Sequence, residues 1–288
     1  MGRLVELPAR GRLLVATDLQ GNLADFARLE ELFEVRAREA DGAVLVVTGD
    51  LVHGPEIPED AWPDYLGSFY HGDSPALLDR ARALAERHPG RVHYLLGNHE
   101  HAHLGGPVVG KFFPDEARRL EELLGPERTR EMRRWLATWP LAAVARTAGL
   151  VLVHAAPCAR IESAAELEEI ELARGDGTID PRLIGMLWTR TPVPDQLRGF
   201  MDALGPELTV AVHGHDVARE GVAQDDEHAL CLSTSFACFD GDKHYLEWDL
   251  AVRAESVASV CERGLRRLYP TSERVLSCEP PPGSNDTG

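Results

Sequence analysis

Long apolar runs are missing from this 288-residue chain. No stretch approaches the roughly 18 consecutive apolar residues that a membrane-spanning helix needs. The opening segment, MGRLVELPARGRLLV, has no continuous apolar core of the kind a secretory signal carries. A membrane partner is therefore not expected, the expected location is cytoplasmic, and the Asn285-Asp286-Thr287 sequon carries no weight. Cysteine is scarce and badly arranged for cross-linking. The five residues, Cys158, Cys231, Cys238, Cys261 and Cys278, are odd in number and include no Cys-x-x-Cys pair. That suggests neither a disulfide framework nor a cysteine-built zinc site. Positive charge is also short: 30 basic residues face 47 acidic ones, for a net charge of −17 and a pI near 5.1. Such a surface repels nucleic-acid backbones and anionic membranes, so no general nucleic-acid binding is expected. It does not exclude a phosphorylated substrate, because bound divalent cations reverse the local sign.

What is present is ordinary for a soluble globular protein: 44% apolar and 27% charged residues, in a chain long enough to bury a core without staples. Short β-branched runs predict strands over Leu13–Ala16, Ala43–Val47, Val92–Leu96, Gly149–Val153, Leu208–Val212, Ala229–Leu232 and Lys243–Asp249. Helical spacing links Leu23, Phe26, Leu29 and Phe33, and again Leu77, Leu78, Ala81 and Leu84. Two more helices are expected over Glu116–Leu124 and Glu127–Thr138, parted by Gly125-Pro126, and another over Ala254–Leu268. The Pro- and aromatic-rich stretch from Pro55 to Tyr70 reads as a loop insertion. Residues 271–288 have the composition of a disordered tail after a domain spanning 1–270. Strands alternating with helices predict an α/β fold with no internal repeat.

The chemistry lies in the polar residues at the end of each apolar run. The first strand leads into Asp18-Leu-Gln20-Gly-Asn22 and the second into Gly49-Asp50. The third leads into Gly97-Asn98-His99-Glu100, the fourth into His154, and the fifth into His213-Gly214-His215. Ligands bind at the carboxyl ends of strands in α/β sheets, so these side chains are expected to meet. A carboxylate, amide and imidazole set favours Mn²⁺, Fe or Zn²⁺ over soft-metal sites. A lone histidine or Gly-Asp after a strand is ordinary structure; five such ends in order are not. His213 is a candidate further ligand or ligand-supporting group. His101 and His103 read as part of a solvated loop, and Glu100 as a residue that caps or orients.

This ordered pattern resembles the calcineurin-like metallophosphoesterases, with their D-x-H, G-D-x-x-D, G-N-H-D/E, H and G-H elements. Trp135-Leu-Ala-Thr-Trp-Pro140 and Leu187-Trp188-Thr189-Arg190 are similar to segments of the phosphoprotein phosphatase branch, which includes bacterial Ser/Thr phosphatases and symmetrical diadenosine tetraphosphatases. The resemblance runs from about residue 12 to residue 250. It implies a β-sandwich of two mixed sheets flanked by helices, and a centre holding two divalent ions, Mn²⁺ foremost, with Fe or Zn²⁺ as alternatives. By resemblance Asp50 bridges the ions, Asp18 and His215 complete one ligand set, and Asn98 and His154 the other. The implied reaction is attack on phosphorus by a water acidified between the ions, with His99 protonating the leaving oxygen and Arg190 as a candidate phosphate clamp.

Three departures fall on functional positions. Gln20 stands where the family has a histidine and is a weaker candidate ligand through its carbonyl oxygen. His53 stands where the branch has the aspartate that orients its general acid, and Gly54 where it has a phosphate-binding arginine. Ala155-Ala156 come after His154 where the branch has two glycines. Altered phosphate recognition is expected, with His53 or Arg190 as candidate substitutes. The readings this leaves are hydrolysis of a phosphomonoester, on protein or small molecule, or hydrolysis of a nucleotide polyphosphate or phosphodiester. A catalytically silent phospholigand-binding scaffold is the third. A substrate panel separates the first two. Ligand binding without turnover would mark the scaffold.

Overall fold

The computed structural model describes residues 2–173 and 175–274. The first half of the chain runs β1 (Leu4–Glu6), β2 (Arg12–Ala16), α1 (Leu23–Ala37), β3 (Ala43–Val47), α2 (Ser74–Arg87), β4 (Val92–Tyr94), α3 (Asn98–Ala102) and α4 (Glu116–Leu136). The second half runs β5 (Ala142–Ala145), β6 (Leu150–Val153), α5 (Ala165–Glu168), α6 (Pro181–Leu187), α7 (Pro194–Leu204), β7 (Val210–His213), β8 (Val222–Gln224), β9 (Ala229–Leu232), β10 (His244–Asp249), α8 (Val257–Gly264) and β11 (Leu265–Arg267). No helix among the described residues is long and apolar enough to cross a membrane.

The strands form two mixed sheets, one ordered β1-β5-β6-β7-β9-β8 and the other β11-β10-β2-β3-β4. Alternation along the strands sends one set of side chains between the sheets. Leu13, Val15, Val44, Val46, Leu150, Leu152, Val210 and Val212 pack there in a single core layer. The other set, including Leu14, Leu45, Val47, Val151 and Val153, faces the helices. Helix α1 starts where Asn22 accepts from Asp25 N, and it buries Phe26, Leu29 and Phe33. Helix α2 starts on Asp73 with Pro75 in its first turn and buries Leu77, Leu78, Ala81 and Leu84.

Helix α4 is broken at Gly125 (φ 73°, ψ 171°), as the Gly-Pro pair requires. The break folds the second segment back, so that Arg133 meets Glu121 twelve positions away at 2.7 Å.

The expected Ala254–Leu268 helix is a correction. Ser256 caps it, and it runs only over Val257–Gly264. A Cβ at Gly264 would lie 2.5 Å from Leu246 Cδ1 and 2.8 Å from Trp248 Cε3, so the chain there hugs β10. It continues as β11, pairing Leu265 with Leu246. Strands β1, β5, β8 and β11 carried no signal that separated them from loops: three have three residues and β5 is Ala-Ala-Val-Ala. The expected tail falls mostly on 275–288, outside the described residues.

Candidate active site

Strands β2, β3, β6 and β7 point their carboxyl ends at one region, where β4 also delivers α3. Asp18 follows β2, Asp50 follows β3, Asn98 opens α3, His154 follows β6, and His215 lies two residues beyond β7. The backbone is strained here. Of the six non-glycine residues with positive φ among those described, five are Asp18 (48°), Gln20 (46°), Asp50 (55°), His53 (68°) and His215 (69°). That conformation costs about 1 kcal/mol or more per residue, and such strain concentrates where function needs it. Glycines allow the close packing. A Cβ at Gly97 would collide with Asp50 Oδ1, and one at Gly214 with Asp18 Oδ2.

Glu100 joins two of the loops. Its carboxylate accepts from Asp50 N (2.9 Å), Leu51 N (2.8 Å), Val52 N (3.2 Å) and Gly97 N (3.1 Å). Burial, reinforced by the charge of Asp50, pushes its pKa up to about 8, against the lowering effect of the Asp50, Val52 and Gly97 amides. The expected capping or orienting role matches this geometry.

Around Asp50 the donors converge. Gln20 Nε2 donates to Asp50 Oδ2 at 3.1 Å, and His99 N donates to Asp50 Oδ1 at 3.2 Å. The His215 N–H donates to both oxygens of Asp18, at 3.2 and 3.0 Å. His154 Nδ1 donates to the Thr48 carbonyl at 2.9 Å, which leaves Nε2 as a bare lone pair. That lone pair faces the Asn98 side-chain amide at 2.9 Å, and His215 Nδ1 faces the same amide at 3.1 Å. With Oδ1 inward, lone pairs oppose each other unless a cation lies between them; turning the amide lets its nitrogen donate to both rings. Asp50, His154 and His215 offer ligand atoms all within 4.8 Å of one another. Gln20 Oε1 is buried and finds no hydrogen-bond partner among the described residues. Burial and the neighbouring Asp50 push Asp18 up to about 6, and burial pushes Asp50 up to about 7. Burial also pulls His154 down to about 4 and His215 well below the usual histidine range. Crowded carboxylates, bare imidazole nitrogens and an orphaned amide oxygen are a donor set short of positive charge, which divalent cations fit.

The remaining candidates take distinct places. His99 Nε2 lies 3.7 Å from Asp50 Oδ2, beside the candidate metal ligands. His53 is buried, with its Nδ1 2.9 Å from His99 Nδ1. Arg190 lies at the exposed rim, paired with Asp216 at 2.8 Å. His213 turns away from Asp50 into a separate group with Asp225 (3.2 Å) and Cys231. The solvated-loop reading of His101 and His103 is a correction. Both are buried, because α3 packs against α4; His101 Nε2 donates to Leu172 O and His103 Nδ1 to Glu121.

Two features escaped the sequence reading. The Lys111 ammonium sits over the Phe236 ring, 3.3 Å from its centroid. Desolvation lowers its pKa, opposed by Asp50, Asp18 and Glu116. It comes from a loop with no motif, so the sequence offered no signal. Second, Gly54 has no room for a side chain: a Cβ would collide with the Gln20 carbonyl and lie 2.7 Å from Gly72 Cα. An arginine at that position is sterically shut out.

The comparisons agree with this geometry. The model of the calcineurin-like phosphoesterase family matches residues 11–236, more than half of the chain, and the protein belongs to that family of metal-dependent phosphoric ester hydrolases. Among solved structures, a serine/threonine phosphatase from Saccharomyces cerevisiae shares the fold at TM-score 0.58 and 16% identity, over 85% of this chain and 76% of that one. A cold-active protein-tyrosine phosphatase of a psychrophilic Shewanella species does so at TM-score 0.53 and 16% identity, over 86% and 77%. No curated protein matches the chain at a significant level.

Proposed function

We propose that the protein hydrolyses phosphomonoesters using two divalent ions, Mn²⁺ before Fe or Zn²⁺, held by Asp18, Gln20, Asp50, Asn98, His154 and His215. The observation that carries this reading is the meeting of Asp50, His154 and His215 around one point, with the His99 ring beside it. When bound, the ions would supply positive charge to the phosphoryl oxygens and an acidified water. Gln20 Nε2 and the His99 amide donate to the Asp50 carboxylate, and the His215 amide donates to that of Asp18, so neither carboxylate has to reorganise. His99 offers Nε2 toward the same space, where it would pass a proton to the leaving oxygen. Lys111 and Arg190 place positive charge within electrostatic reach of Asp50, which an anionic substrate would meet. The substrate is a phosphorylated compound, the phosphoesterase unit spans 1–270, and the working location is the cytoplasm.

The test is p-nitrophenyl phosphate hydrolysis with added Mn²⁺, comparing wild type with Asp50→Asn. We expect the substitution to lower the rate about 100-fold or more, because it removes the carboxylate charge central to the site. A wild type inactive with every divalent metal would overturn the reading.

A further inference from the structure

Behind His99 a row of side chains leads to the surface. His99 Nδ1 lies 2.9 Å from His53 Nδ1, His53 Nε2 lies 2.9 Å from His103 Nε2, and His103 Nδ1 lies 2.9 Å from Glu121 Oε1. Arg133 clamps Glu121 from the far side, with Nη2 2.7 and 2.8 Å from the two oxygens. The three histidines are buried, while 23% of the Glu121 side chain is exposed.

The far end sets the direction of every bond in this row. A carboxylate can only accept, so His103 Nδ1 carries the hydrogen toward Glu121. Desolvation lowers the pKa of His103 and holds His53 well below the usual range, favouring neutral rings with one N–H each. His103 Nε2 must then accept from His53 Nε2–H, and His53 Nδ1 must accept from His99 Nδ1–H. His99 is left with its N–H pointing back into the protein and Nε2 facing Asp50. Glu116 does not displace His53 from this role. Its Oε2 lies 3.5 Å from His99 Nδ1 and 3.7 Å from His53 Nδ1 and makes no hydrogen bond among the described residues.

We infer that His53, His103 and Glu121 are positioning residues that fix the tautomer and ring orientation of His99. The inference rests on the proposed phosphomonoester hydrolysis and deepens it. The row ends in a carboxylate two rings from His99, at Glu121, beyond the nearer carboxylates of Glu116 and Asp50. The helix break at Gly125 returns Arg133 to Glu121 at the outer end of the row.

The test uses two esters that differ in their need for a proton donor, p-nitrophenyl phosphate and glycerol 2-phosphate. Nitrophenolate departs unprotonated, whereas an alkoxide needs the proton. Wild type, Glu121→Gln, His103→Leu and Arg133→Leu are assayed with Mn²⁺, and bound metal is measured on each. Glu121→Gln is isosteric and part-exposed, so it stays informative should the buried His103→Leu fold poorly. We expect Glu121→Gln and His103→Leu to lower kcat on glycerol 2-phosphate by about tenfold or more, within the range general acid catalysis supplies. On p-nitrophenyl phosphate both should stay within about threefold, with metal content unchanged. Arg133→Leu keeps the carboxylate and should change the ratio of the two rates little. Equal losses on both esters, with metal retained, would show that the row only packs, and the inference falls while the hydrolase reading stands. A wild type that cleaves neither ester overturns the hydrolase reading and the inference with it.

Discussion

Gln20 holds a left-handed backbone (φ 46°), donates to Asp50 with one end of its amide and leaves the other end buried and unpartnered among the described residues. A neutral carbonyl oxygen is a weaker ligand than an imidazole nitrogen, and the hydrogen bond to Asp50 competes for the same group. Gln20→His is therefore expected to tighten metal retention by about tenfold, on the scale of changes at supporting metal-site groups. Dialysis against graded chelator, with metal analysis afterwards, reads this directly. Unchanged retention and rate would mean that residue 20 does not limit the site. Gly54 works by the opposite logic. It sits against the Gln20 carbonyl and Gly72, so the phosphate-binding group of related enzymes cannot be restored there by a single exchange. Positive charge reaches the site from Lys111 and Arg190 instead.

At the scale of elements, the ends of β3 and β4 are held in register by one carboxylate. Glu100 Oε2 accepts from Asp50 N and Gly97 N, and Oε1 from Leu51 N and Val52 N. Glu100→Gln places an amide NH₂ against two of these donors. Losing two hydrogen bonds and setting donor against donor in a buried site is expected to cost about 3 kcal/mol of stability. A urea unfolding midpoint measures it, and a shift under about 0.5 kcal/mol would mean that the loops hold their shape without Glu100. The hydrolysis rate should fall in parallel, because Asp50 is placed by this contact. Helix α3 contributes twice: its first residue is Asn98 and its second is His99, so one short element carries a candidate ligand and the candidate acid.

Across the whole molecule, the site stores unfavourable charge that cations would relieve. Asp18 is raised from 3.8 to about 6 and Asp50 from 3.8 to about 7. Glu100 is raised from 4.5 to about 8 and Glu116 from 4.5 to about 7, in each case foremost by burial. Each group binds its proton more tightly folded than unfolded. Its stabilising contribution is present at low pH and is lost as pH rises through about 6 to 8. Glu34, held down by its hydrogen bond to His88, and Glu207, held down by Arg146, act in the opposite sense but lie near the surface, where screening weakens them. Below about pH 7 the buried histidines, lowered by desolvation, oppose the raised carboxylates by favouring the folded state as pH rises, so with EDTA present the urea midpoint is expected to fall between about pH 7 and about pH 8. Divalent cation favours the ionised carboxylates, so its stabilising effect should grow over the same range. A metal-free protein more stable at the higher pH would contradict this account.

The sequence by itself located the strand ends and named Asp18, Asp50, Asn98, His154 and His215. Short continuous apolar, β-branched runs and a polar residue at each end are local signals, written in consecutive positions. It also read the broken helix at Gly125-Pro126, because a missing N–H and a left-handed glycine act on their own segment. The strands β1, β5, β8 and β11 escaped it, since three residues or an alanine run become a strand only when a neighbouring strand supplies hydrogen bonds. Tertiary structure alone decided that residues 265–267 leave the last helix to pair with β10, that Lys111 reaches the site, and that Gly54 has no space for a side chain. It alone buried His103 and set it between His53 and Glu121, eighteen residues further on. Hydrogen-bond direction along that row depends on which groups meet, and the packing of α3 against α4 settles that.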